Sequence, residues 1–181
     1  MKRSEINRVI REAEEAFARH HWALPPEPKW DVTDFGLGDF DACGLTLINL
    51  AEEVEYCEKL MFAKKDQVTP SHHHRLKKED IICRWGSFRI ALHGGNGTVQ
   101  VNGQKRSYTE GEEIDLQAGE RITLTSGIDH AFWPLSEYAI IGEVSTSNDD
   151  VNDNVFHDDQ IGRFSRIEED EAARVKLVGE E

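Results

Sequence analysis

The sequence predicts an all-β fold, a sandwich or barrel of short strands with a helix in front of it and an arm behind. Two observations carry the prediction. From Leu45 onward, short runs rich in Leu, Ile, Val, Thr and aromatics are separated by turn residues, as in β-sandwiches and barrels. Asn102-Gly103 then sits between TVQV and QKRSY, where a tight hairpin needs the positive backbone angles that this pair tolerates. The composition agrees: 38% apolar and 31% charged residues over 181 positions is that of an ordinary globular chain, long enough for a real core and short enough for one domain.

The first element is a helix. Ile6, Val9, Ile10, Ala13 and Phe17 recur at helical spacing with Arg11, Glu12, Glu14 and Glu15 on the other side, which predicts an amphipathic helix from about Ser4 to His20 with Ser4 as N-cap. Pro25, Pro26 and Pro28 cannot continue it, so an extended linker follows toward Phe35 and wraps across the main body. The candidate strands are LTLINLAE, CEKLMFAK, IICRW, FRIALH, TVQV, EIDL, RITLT and YAIIGEV. After Ser147 the acidic, Asn-rich NDDVNDN reads as a loop and the remainder as an arm. The expected organisation is a single domain over 1–181, with helix and linker over about 1–44, barrel core over about 45–147, and loop and arm over about 148–181.

Charge and cysteine usage narrow the function. A formal net charge of -14 lacks the basic footprint that nucleic acid or an anionic membrane surface requires, and points to a small neutral or cationic ligand. The N-terminus has no apolar signal core and no later run is long enough to span a membrane, so a cytoplasmic location is expected. Cys43, Cys57 and Cys83 show no paired spacing, which favours buried small hydrophobes over disulfides or a thiolate zinc site. Cys83, four residues beyond Glu79, is close enough in sequence to approach a site.

The run PSHHHRLKKED carries the chemistry. In an extended strand His72 and His74 point to one face while His73 points away, so two imidazoles can meet one ion. Glu79 needs a turn between, which KKED supplies, and His130 follows RITLTSGID, where a strand and a Gly turn bring it back across a barrel. Three imidazoles and a carboxylate suit manganese, iron, cobalt, nickel or zinc, and four ligands on an octahedral ion leave two positions for neighbouring oxygens of a substrate. The bland alternative is a solvated histidine patch that binds metal adventitiously.

The order H-x-H-x(4)-E, followed by a β segment and a lone His, is a cupin ligand order. EKLMFAKKDQVTPSHHHRLKKEDIICRWG, EGEEIDLQAGERITLTSGIDHAFW, and EVSTSNDDVNDNVF with IGRFSRIEEDE resemble the D-lyxose isomerase family of cupin-fold aldose–ketose isomerases. The MKRSEIN start and the LPP segment resemble it too, so the likeness covers almost the whole chain. It implies a cupin (jelly-roll) barrel, metal ligands at His72, His74, Glu79 and His130, usually holding manganese, and lysines near the site at Lys77 and Lys59. It also implies interconversion of D-lyxose and D-xylulose, with D-mannose and D-fructose expected as well because carbons two and three share their configuration. Where the family often has an aromatic pair around the second histidine, this chain has His73 and Arg75, which bears on substrate preference rather than on the metal.

Aldose–ketose interconversion runs either by a hydride shift between the two carbons or by proton transfer, which the sequence does not separate, and the proton-transfer route needs an acid and a base. Lys77 is the acid or electrostatic candidate, with a pKa expected to be depressed by a nearby cation, against the plain reading of a solvated lysine. Lys59 faces either the barrel interior, beside Cys57 and Met61, or water. Glu143, the lone acid on YAIIGEVST, is the base candidate if it points inward, or merely the strand's solvent end. Asp149, Asp150, Asp153, Asp158 and Asp159 are weaker candidates, expected to be mostly solvated. Trp85, Phe132 and Trp133 can form a sugar-stacking wall, and only Trp133 is favoured over plain packing. Two other classes compete: an iron cupin dioxygenase using the same ligand set, and a non-catalytic sugar-binding cupin. An exposed β edge favours a homodimer.

Overall fold

The structure, a computed structural model, describes residues 1–180. Helix α1 (Arg3–Arg19) and strand β1 (Lys29–Thr33) precede a short turn of helix, α2 (Phe40–Cys43). Strands β2 (Leu45–Glu52), β3 (Tyr56–Lys64), β4 (His72–His73), β5 (Glu79–Trp85), β6 (Ser87–His93) and β7 (Gly97–Val101) follow. The chain continues through β8 (Gln104–Tyr108), β9 (Glu112–Gln117), β10 (Arg121–Leu124), β11 (Asp129–Pro134), β12 (Tyr138–Thr146) and β13 (Val155–Phe156). One sheet has the order β1-β2-β3-β12-β5-β10-β7-β8 and the other β13-β4-β11-β6-β9. This is the expected all-β cupin barrel with an N-terminal helix. Asn102 and Gly103 turn between β7 and β8 at φ 51° and 79°, the hairpin that their sequence predicted.

Period-two alternation splits the apolar residues into two cores. Leu47, Met61, Ile81, Cys83 and Ile141 from the large sheet meet Phe88, Ile90, Leu92, Leu116 and Phe132 from the small one inside the barrel. The alternate residues Ile48, Leu60, Phe62 and Ile140 face outward, where Ile6, Ile10 and Phe17 of α1 cover them together with Trp30. Helix α1 therefore lies on the outside of the large sheet. The linker is more regular than expected: Trp30 and Val32 are buried, so it zips onto β2 as β1.

Ser4 does not cap α1. Lys2 is the N-cap without a side-chain bond, and Ser4 bonds through both N and Oγ to Asp170 of the C-terminal arm. The arm runs back along the helix, with Arg3 N–H donating to Glu168 O and Asn7 Nδ2 to Ala172 O. The orphan N–H groups of Arg3 and Ser4 thus find acceptors in the arm in place of a side-chain cap. Among the described residues, no helix is long and apolar enough to cross a membrane.

Candidate metal centre

The site forms where the two sheets face each other at one end of the barrel. His72 on β4 and His130 on β11 are cross-strand partners, and their rings stand 4.5 Å apart between centroids. His74 follows on the same inward alternation, while Glu79 opens β5 on the facing sheet. Glu79 lies between the imidazoles, with Oε1 3.4 Å from His130 Nε2 and Oε2 3.7 Å from His74 Nε2. All four residues line one cavity.

The imidazoles are oriented by backbone. Nδ1 of His72 donates to Pro70 O at 2.9 Å, that of His74 to Asp153 O at 2.8 Å, and that of His130 to Ile128 O at 3.0 Å. A carbonyl can only accept, so each ring carries a proton on Nδ1 and turns Nε2 away from that bond. Burial, with His130 and His74 close by, holds the His72 imidazole well below its usual pKa. Burial likewise lowers that of His74, against the pull of Glu79. Three imidazoles beside a buried carboxylate are a donor set that suits a divalent transition ion, although Lys77 also reaches that carboxylate.

Around this set stands a second layer of charge. Lys77, 4% exposed, is buried rather than solvated; its Nζ lies 2.8 Å from Glu143 Oε1 and 3.3 Å from Glu79 Oε2. The expected depression of its pKa is not what the protein's own groups produce. Burial does pull the ammonium down, but Glu143 and Glu79 outweigh it and hold it well above the ordinary lysine value. Glu143 points inward; burial pushes its carboxyl up, yet Lys77 and Lys59 bring it down to about 2. Lys59, the cross-strand partner of Glu143, also faces the interior and donates to Asn148 at 2.9 Å and Asp150 at 3.0 Å. Asp150 lies 3.6 Å from Arg163, which also pairs with Asp31.

The acidic loop is where the solvated reading fails. Asp153 is 6% exposed and its carboxylate accepts the backbone N–H groups of Arg75 at 2.9 Å, Leu76 at 3.0 Å and Lys77 at 3.0 Å. One side chain thereby fixes the turn between His74 and Lys77, which is why an odd spacing still brings Glu79 into the cavity. Asp150, Asn154, Phe156 and Arg163 line the same cavity, so the loop after β12 forms one wall of it. Arg163 is absent from the sequence-based candidates; its only signal was a cation within IGRFSR beyond an acidic loop. The aromatic wall is also different from expectation. Phe132 lines the cavity, but Trp133 alternates to the outer face, and Trp85 stacks on His20 at 3.8 Å outside the barrel. Phe35 and Phe156 take the places offered to the tryptophans. Cys83 remains in the core, bonded to the carbonyls of Trp85 and Gly86, and does not reach the site.

Fold and site together define a cupin-barrel enzyme with its candidate working groups inside the barrel. The D-lyxose isomerase family profile matches residues 27–181. A D-lyxose/D-mannose isomerase of Serratia proteamaculans is 36% identical over 99% of this chain and 97% of its own length. A D-lyxose ketol-isomerase of Cohnella laeviribosi is 33% identical over 87% and 92%. Among solved structures, the L-ribose isomerase of Cellulomonas parahominis, determined with L-psicose, has the same fold: TM-score 0.75 at 16% identity, over 93% of this chain and 98% of that one. The chain belongs to the D-lyxose isomerase family and is an aldose–ketose isomerase.

Proposed function

We propose that this enzyme interconverts D-lyxose and D-xylulose, and D-mannose and D-fructose, with His72, His74, Glu79 and His130 holding one divalent ion, manganese in the resident form. The observation that carries the ligand set is the three Nδ1-to-carbonyl bonds, which leave three Nε2 atoms to face the cavity beside a buried carboxylate. The ion would supply Lewis-acid polarisation of the substrate carbonyl and stabilise the charge that develops on its oxygens.

The chain's own groups move the proton. Glu143 takes it from the carbon beside the carbonyl and returns it to the former carbonyl carbon, the hydroxyl proton passes from the one oxygen to the other, and Lys77 donates a hydrogen bond to the oxygen that gains charge. A carboxylate held at about 2 by Lys77 is a weak base. A sugar that draws the ammonium onto its own oxygen loosens the pair and raises the basicity of Glu143 at the moment it is used. Lys59, Asp150 and Arg163 offer donors and an acceptor to the remaining hydroxyls, and Phe132, Phe156 and Met61 pack against the C–H faces of the sugar. An oxygenase would have no use for the buried Lys77–Glu143 pair, and a mere binding protein no need of a proton-transfer couple.

We further propose a homodimer in the cytoplasm; the exposed edge strand β8 supports the pairing, and sedimentation at several concentrations tests it. The decisive assay incubates metal-stripped protein with added manganese and D-lyxose. D-xylulose should form only with the metal restored, and His74→Ala should abolish it together with metal retention. Failure to convert any of several pentoses and hexoses would overturn the reading, and oxygen uptake with iron would favour a dioxygenase instead.

A further inference from the structure

The histidine run has a second face. The alternation that turns His72 and His74 into the barrel turns His73 out of it, and on β11 it turns Asp129 out beside His130. Strand β13 pairs with β4, Val155 opposite His73, so His157 arrives two residues further on at the same outer surface. His73 Nδ1 lies 2.9 Å and His157 Nε2 2.7 Å from the same oxygen, Oδ1 of Asp129. The three potential ligand atoms fall within 4.8 Å of one another.

We propose that His73, Asp129 and His157 form a second metal site, on the outside of the barrel, for a borderline divalent ion of the zinc type. At 2.7 and 2.9 Å both imidazoles are hydrogen-bonded to Asp129 Oδ1; around a tetrahedral ion the same atoms would stand roughly 3.3 Å apart, so a small outward shift of the exposed His157 with loss of the ring protons would admit the ion. Two imidazoles and one carboxylate suit zinc, cobalt or nickel, whereas calcium and magnesium need more oxygen than one carboxylate gives. The outer side is open, because the His157 side chain is 64% exposed, so water can complete the coordination shell. The backbone makes room as well: a Cβ at Gly94 would stand 2.6 Å from Asp129 Oδ2. His93, across from Asp129 in register, is engaged by Glu110 at 3.5 Å, which leaves the set at three.

Its consequence is mechanical. His73 belongs to the strand that offers His72 to the cavity, and His157 ends the segment that carries Asp150, Asn154 and Phe156 into it. An ion bridging them ties that segment to the small sheet without entering the barrel. The site stands independently of the inner one.

The test is zinc titration of the intact protein, already loaded with its inner metal, compared with the same preparation of His157→Ala. Wild type should take up one more equivalent of zinc per chain than the variant, and His73→Gln should lose the same equivalent. With cobalt as the probe, that equivalent should bring a visible d–d absorption which the variants lack. Because His157 is exposed, its loss leaves the fold and the basal activity in place, and circular dichroism checks the fold. Equal zinc uptake by wild type and His157→Ala would overturn the proposal, as would uptake retained in His73→Gln.

Discussion

The two faces of the large sheet are made from the same strands and serve opposite ends. On β3, Leu60 and Phe62 face the helix while Cys57, Lys59 and Met61 face the barrel; on β12, Ile140 faces the helix and Glu143 the barrel. The helix side is apolar through its centre, and a buried cation there, Arg3, sits at the rim between Glu169 and Glu180. The barrel side buries Lys59, Lys77, Glu79 and Glu143, none more than 7% exposed. Burying ions costs several kcal/mol each, and well-packed apolar residues of similar volume are often as stable or more so. The contrast teaches that the helix face is built for stability, whereas the interior charges come at the expense of stability, which the proposed function explains by their action on a bound sugar.

Breaking the interior should give the largest combined effect. Lys77→Ala leaves Glu143 buried without its partner, so unfolding free energy should fall by ~3–5 kcal/mol in denaturant titration. Turnover of the remaining folded enzyme should drop with metal content retained; equal metal loss would place Lys77 among the groups that hold the ion rather than those that act on the sugar. Next comes the helix face. Leu60→Ala, one position from Lys59, should cost ~2–5 kcal/mol through the cavity it leaves, while KM and turnover per folded molecule stay near wild type. A marked change in turnover would mean that the two faces are not separable.

The smallest effect concerns Asp150. Burial raises its carboxyl, but Lys59 and Arg163 outweigh that and hold it well below its ordinary value of 3.8. A depressed carboxylate binds fewer protons when folded, so its contribution is present above 3.8 and is lost as pH falls toward its folded value. The stability gap between wild type and Asp150→Asn should therefore be full above 3.8 and narrow below it, measured by urea midpoints on both sides. A gap that does not change with pH would show that Asp150 contributes by shape and hydrogen bonding alone.

Much of this was legible in the chain, because alternation is local. The barrel, the Asn102-Gly103 hairpin and the inward turn of His72 and His74 follow from period two and turn chemistry. What escaped depends on contacts between distant segments. Ser4 looks like a cap until Asp170, far along the chain, takes its place as partner. Asp153 and Asp150 look solvated because an acidic loop gives no sign that three backbone N–H groups, or Lys59 and Arg163, await its carboxylates. Trp133 reads as a stacking residue in the sequence, but one residue of register sends it to the outer face and Phe132 to the cavity.

The most direct test of the central claim is the rate of D-lyxose conversion by the double variant Lys77→Met/Glu143→Leu, which replaces the interior ion pair with apolar side chains. The variant should fold with stability equal to or above wild type. At full metal loading, its rate of D-xylulose formation should fall to background. A stable, metal-loaded double variant that isomerises at the wild-type rate would contradict the claim that these buried charges are there for the chemistry.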